Sequence, residues 1–275
     1  MQKKTKGGVQ DIAQKDSIRS RLVILMITLM VLLISLFVWS LANRWYRTRQ
    51  LEIHRAHITN ASHEFRTPLA TINTSTYLLG KGPDAERRQY HMAQVEAQVN
   101  HITNLVEDLT ALSVLDSGKQ PLASHGVDLN EIIQAANGTM QADFEESRHK
   151  VVLELYQEPV NMRGDSDYLQ QALKRLLSNA VQHTPAGGTI TIRSDIVRGD
   201  AIVDIIDTES GIKEGDLPHI FERFYRADVA GSTRGFGLGL PIVKSIVELH
   251  QGRIEVTSDV EKGSVFRIVF PVDNG

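Results

Sequence analysis

Residues 62–69 read SHEFRTPL, which sets an imidazole, a carboxylate, a hydroxyl and a proline within two helical turns. If the segment is helical, His63 and Thr67 stand at i and i+4 on one face, while Pro68 has no N–H to give the carbonyl of Glu64. The helix is therefore expected to bend beside His63. A neutral imidazole attacks a phosphoryl group through a deprotonated ring nitrogen, and a neighbouring carboxylate such as Glu64 can hold the proton on the other one. The combination points to a phosphate-accepting histidine. The chain has 10 histidines, and most histidines in any protein serve surface or packing roles. The octapeptide therefore gains its weight from a matching nucleotide site further along.

Around the octapeptide the pattern is helical over residues 47–80, with Ile58, Phe65, Leu69, Ile72 and Leu79 on a recurring apolar stripe, and Gly80, Gly82 and Pro83 stop it. A second helix over residues 85–115 places Met92, Val95, Val99, Ile102, Val106, Leu109 and Leu112 at steps of three and four, a coiled-coil-like seam. Two such helices make an antiparallel hairpin, which has too little apolar contact to stand alone. Pairing with a second copy into a four-helix bundle solves this, so a homodimer is expected.

Upstream, residues 22–42 form an uncharged apolar run of transmembrane length, with Trp39 near its end and Trp45 just beyond it as interfacial anchors. The run is too long for a signal-peptide core and lacks a small-residue cleavage site. Basic residues flank both sides, so charge leaves the orientation open. An ATP-using domain needs the cytosol, which places the C-terminal part inside a single-pass cell-membrane protein. The expected domains are a basic tail at 1–21, the span at 22–42, a linker or signal helix at 43–52 and a dimerisation and phosphotransfer domain at 53–117. A nucleotide domain follows at 122–275. With so short a tail before the span, sensing within the membrane or through a partner protein is expected.

Downstream of a linker at Ser117, Gly118 and Pro121 the pattern becomes mixed. Asp128 with Glu131 reads as a capping-box start to a helix over residues 129–145. Strands are expected at 151–156, 189–197, 201–206, 252–258 and 264–270, with helices at 166–183 and 241–250. This is an α/β sandwich with one helical layer. The net charge of −3 gives no global reason to expect nucleic acid, and the absence of cysteine excludes disulfides, thiolate catalysis and cysteine metal sites.

Four segments of this second domain carry chemistry. Leu169, Leu173, Leu176, Leu177 and Ala180 bury one helix face and leave Asn179 free to offer a neutral oxygen to Mg²⁺, which needs few protein ligands beside phosphate and water. A helix-terminal asparagine near Pro185 is the plainer alternative. Asp207 ends an apolar strand ahead of Gly211 and Ile212, where a carboxylate can accept the exocyclic amine of adenine or simply make a turn. Phe221 and Phe224 offer packing surfaces, and Arg223 and Arg226 can meet phosphate oxygens or form a solvated basic face. Gly235, Gly237 and Gly239 precede a helix with Pro241 in its first turn, so backbone N–H groups can approach phosphates. No Walker-type loop is present in the sequence.

Taken in order, these segments resemble the boxes of bacterial membrane-bound sensor histidine kinases of two-component systems: SHEFRTPL, RLLSNAVQHTP, DTESGI, FERFYR and GFGLGL. The resemblance runs over residues 53–271. It implies that His63 takes the γ-phosphate of ATP and passes it to an aspartate on a response regulator. Glu64 would assist this step, and Thr67 would place water when the hairpin dephosphorylates the regulator. It also assigns His183, Ile212, Leu238 and Leu240 to the nucleotide site beside the residues above. Arg175 stands where the family has an asparagine, Gln182 and His183 replace a common lysine and tyrosine, and Glu209 occupies a motif-glycine position. Bulk and negative charge at Glu209 are expected to weaken ATP binding. Glu209 keeps one rival open, a scaffold or phosphatase-biased module with a degenerate ATP site; a second, a non-kinase ATPase of the same superfamily, is opposed by SHEFRTPL and its hairpin. Arg175 cannot serve as the base the latter needs.

Overall fold

The described residues begin with two helices joined by a tight turn, and the chain punctuates that turn on both sides. α1 covers residues 59–80, and it runs on through Pro68, which is buried. Gly82 takes φ +68° in the turn, where the amides of Lys81 and Gly82 donate to the carbonyls of Leu78 and Leu79. Asp84 then caps α2 (Ala85–Ser117), accepting from the Arg87 amide at 2.8 Å, and Gly118 closes the helix in the left-handed conformation.

The coordinates are those of a computed structural model, which describes residues 59–118, 122–208, 211–227, 235–260 and 262–272. The apolar run at 22–42, its basic flanks, the linker glycine-proline segment beyond Gly118, and Glu209 lie outside the described residues. Among the described residues no helix is long and apolar enough to cross a membrane. The chain divides into two units, Met1–Asn60 and Ala61–Gly275, and apart from the first two residues of α1 every element here belongs to the second.

The seam expected on α2 splits between two faces. Met92, Val99 and Val106, seven residues apart, stay 59%, 48% and 48% exposed. Leu112 and Leu105, the latter absent from the expected seam, are buried in the same apolar cluster as the following domain. One face of α2 is thus already covered within the chain and another is left open.

The second domain begins with β1 (His125–Asp128), which pairs antiparallel with β3 (Asn161–Gly164). Sequence patterning misses both, since each contributes one large buried apolar side chain, Val127 and Met162. The helix expected over 129–145 is two helices, α3 (Leu129–Thr139) and α4 (Gln141–Ser147), interrupted at Met140 with φ −99° and ψ 3°. Asp128 does cap α3, but its carboxylate accepts from Asn130 and from Val160 rather than from the amide of Glu131. It therefore ties the helix start to the approach of β3.

The main sheet holds β2 (Lys150–Glu154), β4 (Thr189–Val197), β5 (Asp200–Asp207), β7 (Gly263–Pro271) and β6 (Arg253–Asp259) in that order. Only the β2–β4 pair is parallel. Ile190, Ile192, Ala201, Val203, Ile205, Phe266, Ile268 and Phe270 fill the covered face. Against it lie α3, α5 (Ser166–His183) and α6 (Gly239–Leu249). On the other face Asp204 stands opposite Arg267 and takes two guanidinium hydrogen bonds at 2.7 and 2.8 Å. Among the described residues helices therefore cover one face only, as the strand alternation predicts.

Candidate active site

His63 is exposed on α1, and the Arg66 guanidinium approaches its Nδ1 at 3.5 Å. Thr67 is exposed one turn on. Glu64 is half-buried and acts electrostatically on His101 of α2. Successive helical residues point about 100° apart by the 3.6-residue repeat, and the charge of Glu64 is felt across the hairpin by His101. His63 and His101 stand at similar heights, each roughly 25 Å from the turn by helical rise.

The nucleotide-side segments lie around the ends of β5 and α6. Asp207 closes β5 with 1% exposure, and its Oδ1 accepts the Ser264 amide at 3.0 Å. His183, at the end of α5, is half-buried; burial holds its pKa below the usual imidazole value, partly opposed by the negative charge of Asp207. These two motif residues are therefore electrostatically linked. Ile212 donates its amide to Ser258 Oγ at 2.8 Å. Gly211 has φ +75°, and a Cβ there would sit 2.2 Å from the Asp259 carbonyl oxygen, so glycine is demanded by the protein's own backbone.

The same holds for Gly237, whose φ is +66° and whose Cβ would lie 2.4 Å from the Tyr225 carbonyl oxygen. Its own carbonyl accepts the Phe224 amide at 2.9 Å, and Phe224 is held at φ +64°. The phenylalanine box and the second glycine box are thus locked backbone to backbone, which explains a strained conformation at a bulky residue. Gly235 is exposed, and Gly239 opens α6 with nothing within 4 Å of a Cβ. Leu238, the N-cap, makes no side-chain capping bond and is fully buried, while Leu240 is half-buried. The first amides of α6 are therefore donors that the cap side chain does not consume. Phe221 is half-buried with the Lys244 ammonium 5.9 Å from its ring centre.

Asn179 is half-buried on α5, beside the buried face of Leu169, Ala172, Leu173, Leu176, Leu177 and Ala180. Among the described residues no group of three His, Cys, Asp or Glu side chains could hold a metal. Any Mg²⁺ would rely on Asn179 with phosphate and water, a donor set that fits the ion.

Arg223 differs from expectation. Expected to meet phosphate or form a solvated basic face, it meets Asp116 of α2 at 2.6 Å, while Arg226 is exposed. Two further contacts join α2 to nucleotide-side segments: Arg175 to Asp108 at 2.6 Å, and the His101 ring to Phe236 with centroids 4.1 Å apart. Burial pushes the His101 pKa down; Glu64 acts upward and Arg226 downward. Sequence reading passed over His101, Asp108 and Asp116. The signal was present, since His101, Leu105, Asp108, Leu112 and Asp116 follow at helical steps of four and three, a stripe disguised by its polar members.

Residues 54–118 match the His Kinase A (phospho-acceptor) domain, and residues 164–274 match the histidine kinase-, DNA gyrase B- and HSP90-like ATPase. The probable sensor histidine kinase TcrY of Mycobacterium tuberculosis is 39% identical over 210 residues, covering 74% of this chain and 43% of that protein. The solved Acinetobacter baumannii histidine kinase AdeS superposes with a TM-score of 0.61 at 26% identity, over 77% of this chain and 98% of that one. Histidine kinase ThkA, solved in complex with response regulator protein TrrA, gives a TM-score of 0.66 at 23% identity, over 82% and 64%. The chain belongs to the sensor histidine kinases of two-component systems, with a phospho-acceptor hairpin followed by an ATPase domain. It spans under half the length of curated relatives such as TcrY and PmrB of Pseudomonas aeruginosa.

Proposed function

We propose that this chain is an ATP-dependent protein-histidine kinase in which His63 takes the γ-phosphoryl group of ATP and passes it to an aspartate of a response regulator receiver domain. In the first step a ring nitrogen of His63 forms a bond to phosphorus, the bond to the β-phosphate oxygen breaks, ADP leaves, and the imidazole proton is released. The observation that carries the reading is the packing of His101 on Phe236 of the second glycine box at 4.1 Å, where the charges of Glu64 from the acceptor helix and Arg226 from the nucleotide side both act on the same imidazole. Acceptor and nucleotide segments thus stand at one height of the hairpin.

ATP would lie between Asp207, Asn179 and the start of α6, with Asp207 accepting the adenine amine and the α6 amides facing phosphate. Mg²⁺, held by Asn179, would neutralise developing charge on the phosphates. His183, Gly211, Ile212, Phe221, Phe224, Arg226, Gly235, Gly237, Leu238, Gly239 and Leu240 complete this proposed site, and Arg223 is engaged by Asp116 of α2 instead. The exposed row of Met92, Val99 and Val106 supports a homodimer built on a four-helix bundle. Dephosphorylation of the regulator through Thr67 belongs to the same reading. We place the protein in the cell membrane through residues 22–42, with the kinase domains cytoplasmic. The apolar length of that run supports the placement.

Incubating the full chain with Mg²⁺ and γ-labelled ATP should produce acid-labile, alkali-stable phosphate. Its absence at millimolar ATP would refute the kinase. Glu209→Gly should bind an ATP analogue more tightly, because bulk and a negative charge leave the phosphate side; equal affinities would show that Glu209 is harmless.

A further inference from the structure

The two ion pairs between the ATPase domain and α2 have no part in the phosphoryl-transfer chemistry, yet they join segments that the kinase reading uses. Arg175 lies one helical turn before Asn179 on α5, and Arg223 lies in the segment locked to the second glycine box. Their partners Asp108 and Asp116 share the α2 face on which His101 meets Phe236. We propose that Arg175 is a positioning residue whose ion pair with Asp108 fixes the axial register of the ATPase domain on α2, so that the second glycine box stands level with His63. This rests on the kinase reading above.

Two features of the pair favour register over strength. The Arg175 and Asp108 side chains retain only 20% and 15% exposure, so the pair is largely desolvated. Burial nevertheless raises the Asp108 pKa, against the opposing pull of the guanidinium, and the Arg175 Nε is buried with no hydrogen-bond partner. A pair that incompletely offsets its own desolvation contributes little net stability, but it strongly disfavours any docking that separates the two charges. Leu105 and Leu112, between the polar contacts, supply the non-directional adhesion. Leucine contacts alone tolerate sliding by a turn, whereas a guanidinium–carboxylate contact at 2.6 Å does not.

The test is a charge-reversal cycle in the full chain. Arg175→Asp places two carboxylates together, and Asp108→Arg two guanidiniums; the double variant restores an opposite pair. Each single reversal should lower the rate of His63 phosphorylation about tenfold while leaving the KM for ATP within about twofold, and the double reversal should recover most of the rate. Asp108→Asn, which keeps the side-chain volume, should act in the same direction more weakly. Because the chain has no cysteine, spin labels at Glu96→Cys and Thr257→Cys report domain placement without background. Their distance distribution should be narrow in the parent chain, broadened or shifted in the single reversals, and narrow again in the double.

Unchanged distances in the single variants, faster labelling of His63, or no rescue in a folded double variant would each overturn the proposal. If the parent chain makes no phosphohistidine, the kinase reading fails, and the label distances still decide whether the pair sets register.

Discussion

His63→Gln should carry no acid-labile phosphate after incubation with Mg-ATP, a fall of at least about a thousandfold that leaves only background. Glutamine approximates the length of histidine and can hydrogen-bond, but it has no ring nitrogen with a lone pair to attack phosphorus. His63 is exposed on α1, so the change should disturb folding little, and a thermal melt should confirm this. Nucleotide affinity should stay at the parent value, since Asp207, Asn179 and the start of α6 lie on other elements. The informative competitor is His101, at similar height and within electrostatic reach of Glu64. Burial favours its neutral, nucleophilic form, but its ring packs on Phe236 with centroids 4.1 Å apart, so it is poorly presented to a phosphate. Label retained in His63→Gln and mapped to His101 would move the acceptor to α2; label scattered over other histidines would reject a specific acceptor.

Much of the fold follows from local patterning. The α5 bounds and β4 bounds agree with the periodicity, and the alternation of Phe266, Ile268 and Phe270 places β7 correctly within a residue at each end. Patterning fails where a strand has too few apolar residues to show a period, as in β1 and β3, and where a helix is interrupted without a proline, as at Met140. At the site, motif order identified the segments but not their partners. The glycine motifs suggested room for phosphate. Gly211 and Gly237 instead avoid collisions with Asp259 and Tyr225, a long-range constraint that composition does not encode. Arg223 reads as a phosphate contact until α2 is seen to supply Asp116, because ion-pair partners distant in sequence leave no local trace. Arg175 gave the opposite lesson. It departs from the family pattern, and the structure gives it a partner in Asp108.

Asp207→Asn should weaken ATP binding by roughly tenfold to a hundredfold, the range for losing a hydrogen bond to a charged acceptor. The substitution is chosen to spare the fold. Oδ1 accepts the Ser264 amide at 3.0 Å, and asparagine retains a carbonyl oxygen for that bond. Alanine would leave a buried N–H unpaired and confuse stability with binding. In asparagine the remaining group becomes an amide donor, which faces the adenine amine as donor against donor. Inosine triphosphate, carrying a carbonyl in place of that amine, should therefore lose far less affinity than ATP, and the preference for ATP should shrink. Titrations of both nucleotides check the ratio, and an unchanged ratio would remove Asp207 from adenine recognition. An independent readout lies in His183, whose depressed pKa the Asp207 charge partly raises. Without that charge its pKa should fall further, so the imidazole should stay neutral to lower pH in an NMR titration. If ATP affinity drops while the His183 titration is unmoved, the loss arises from disturbed nucleotide contacts and not from the electrostatic link between Asp207 and His183.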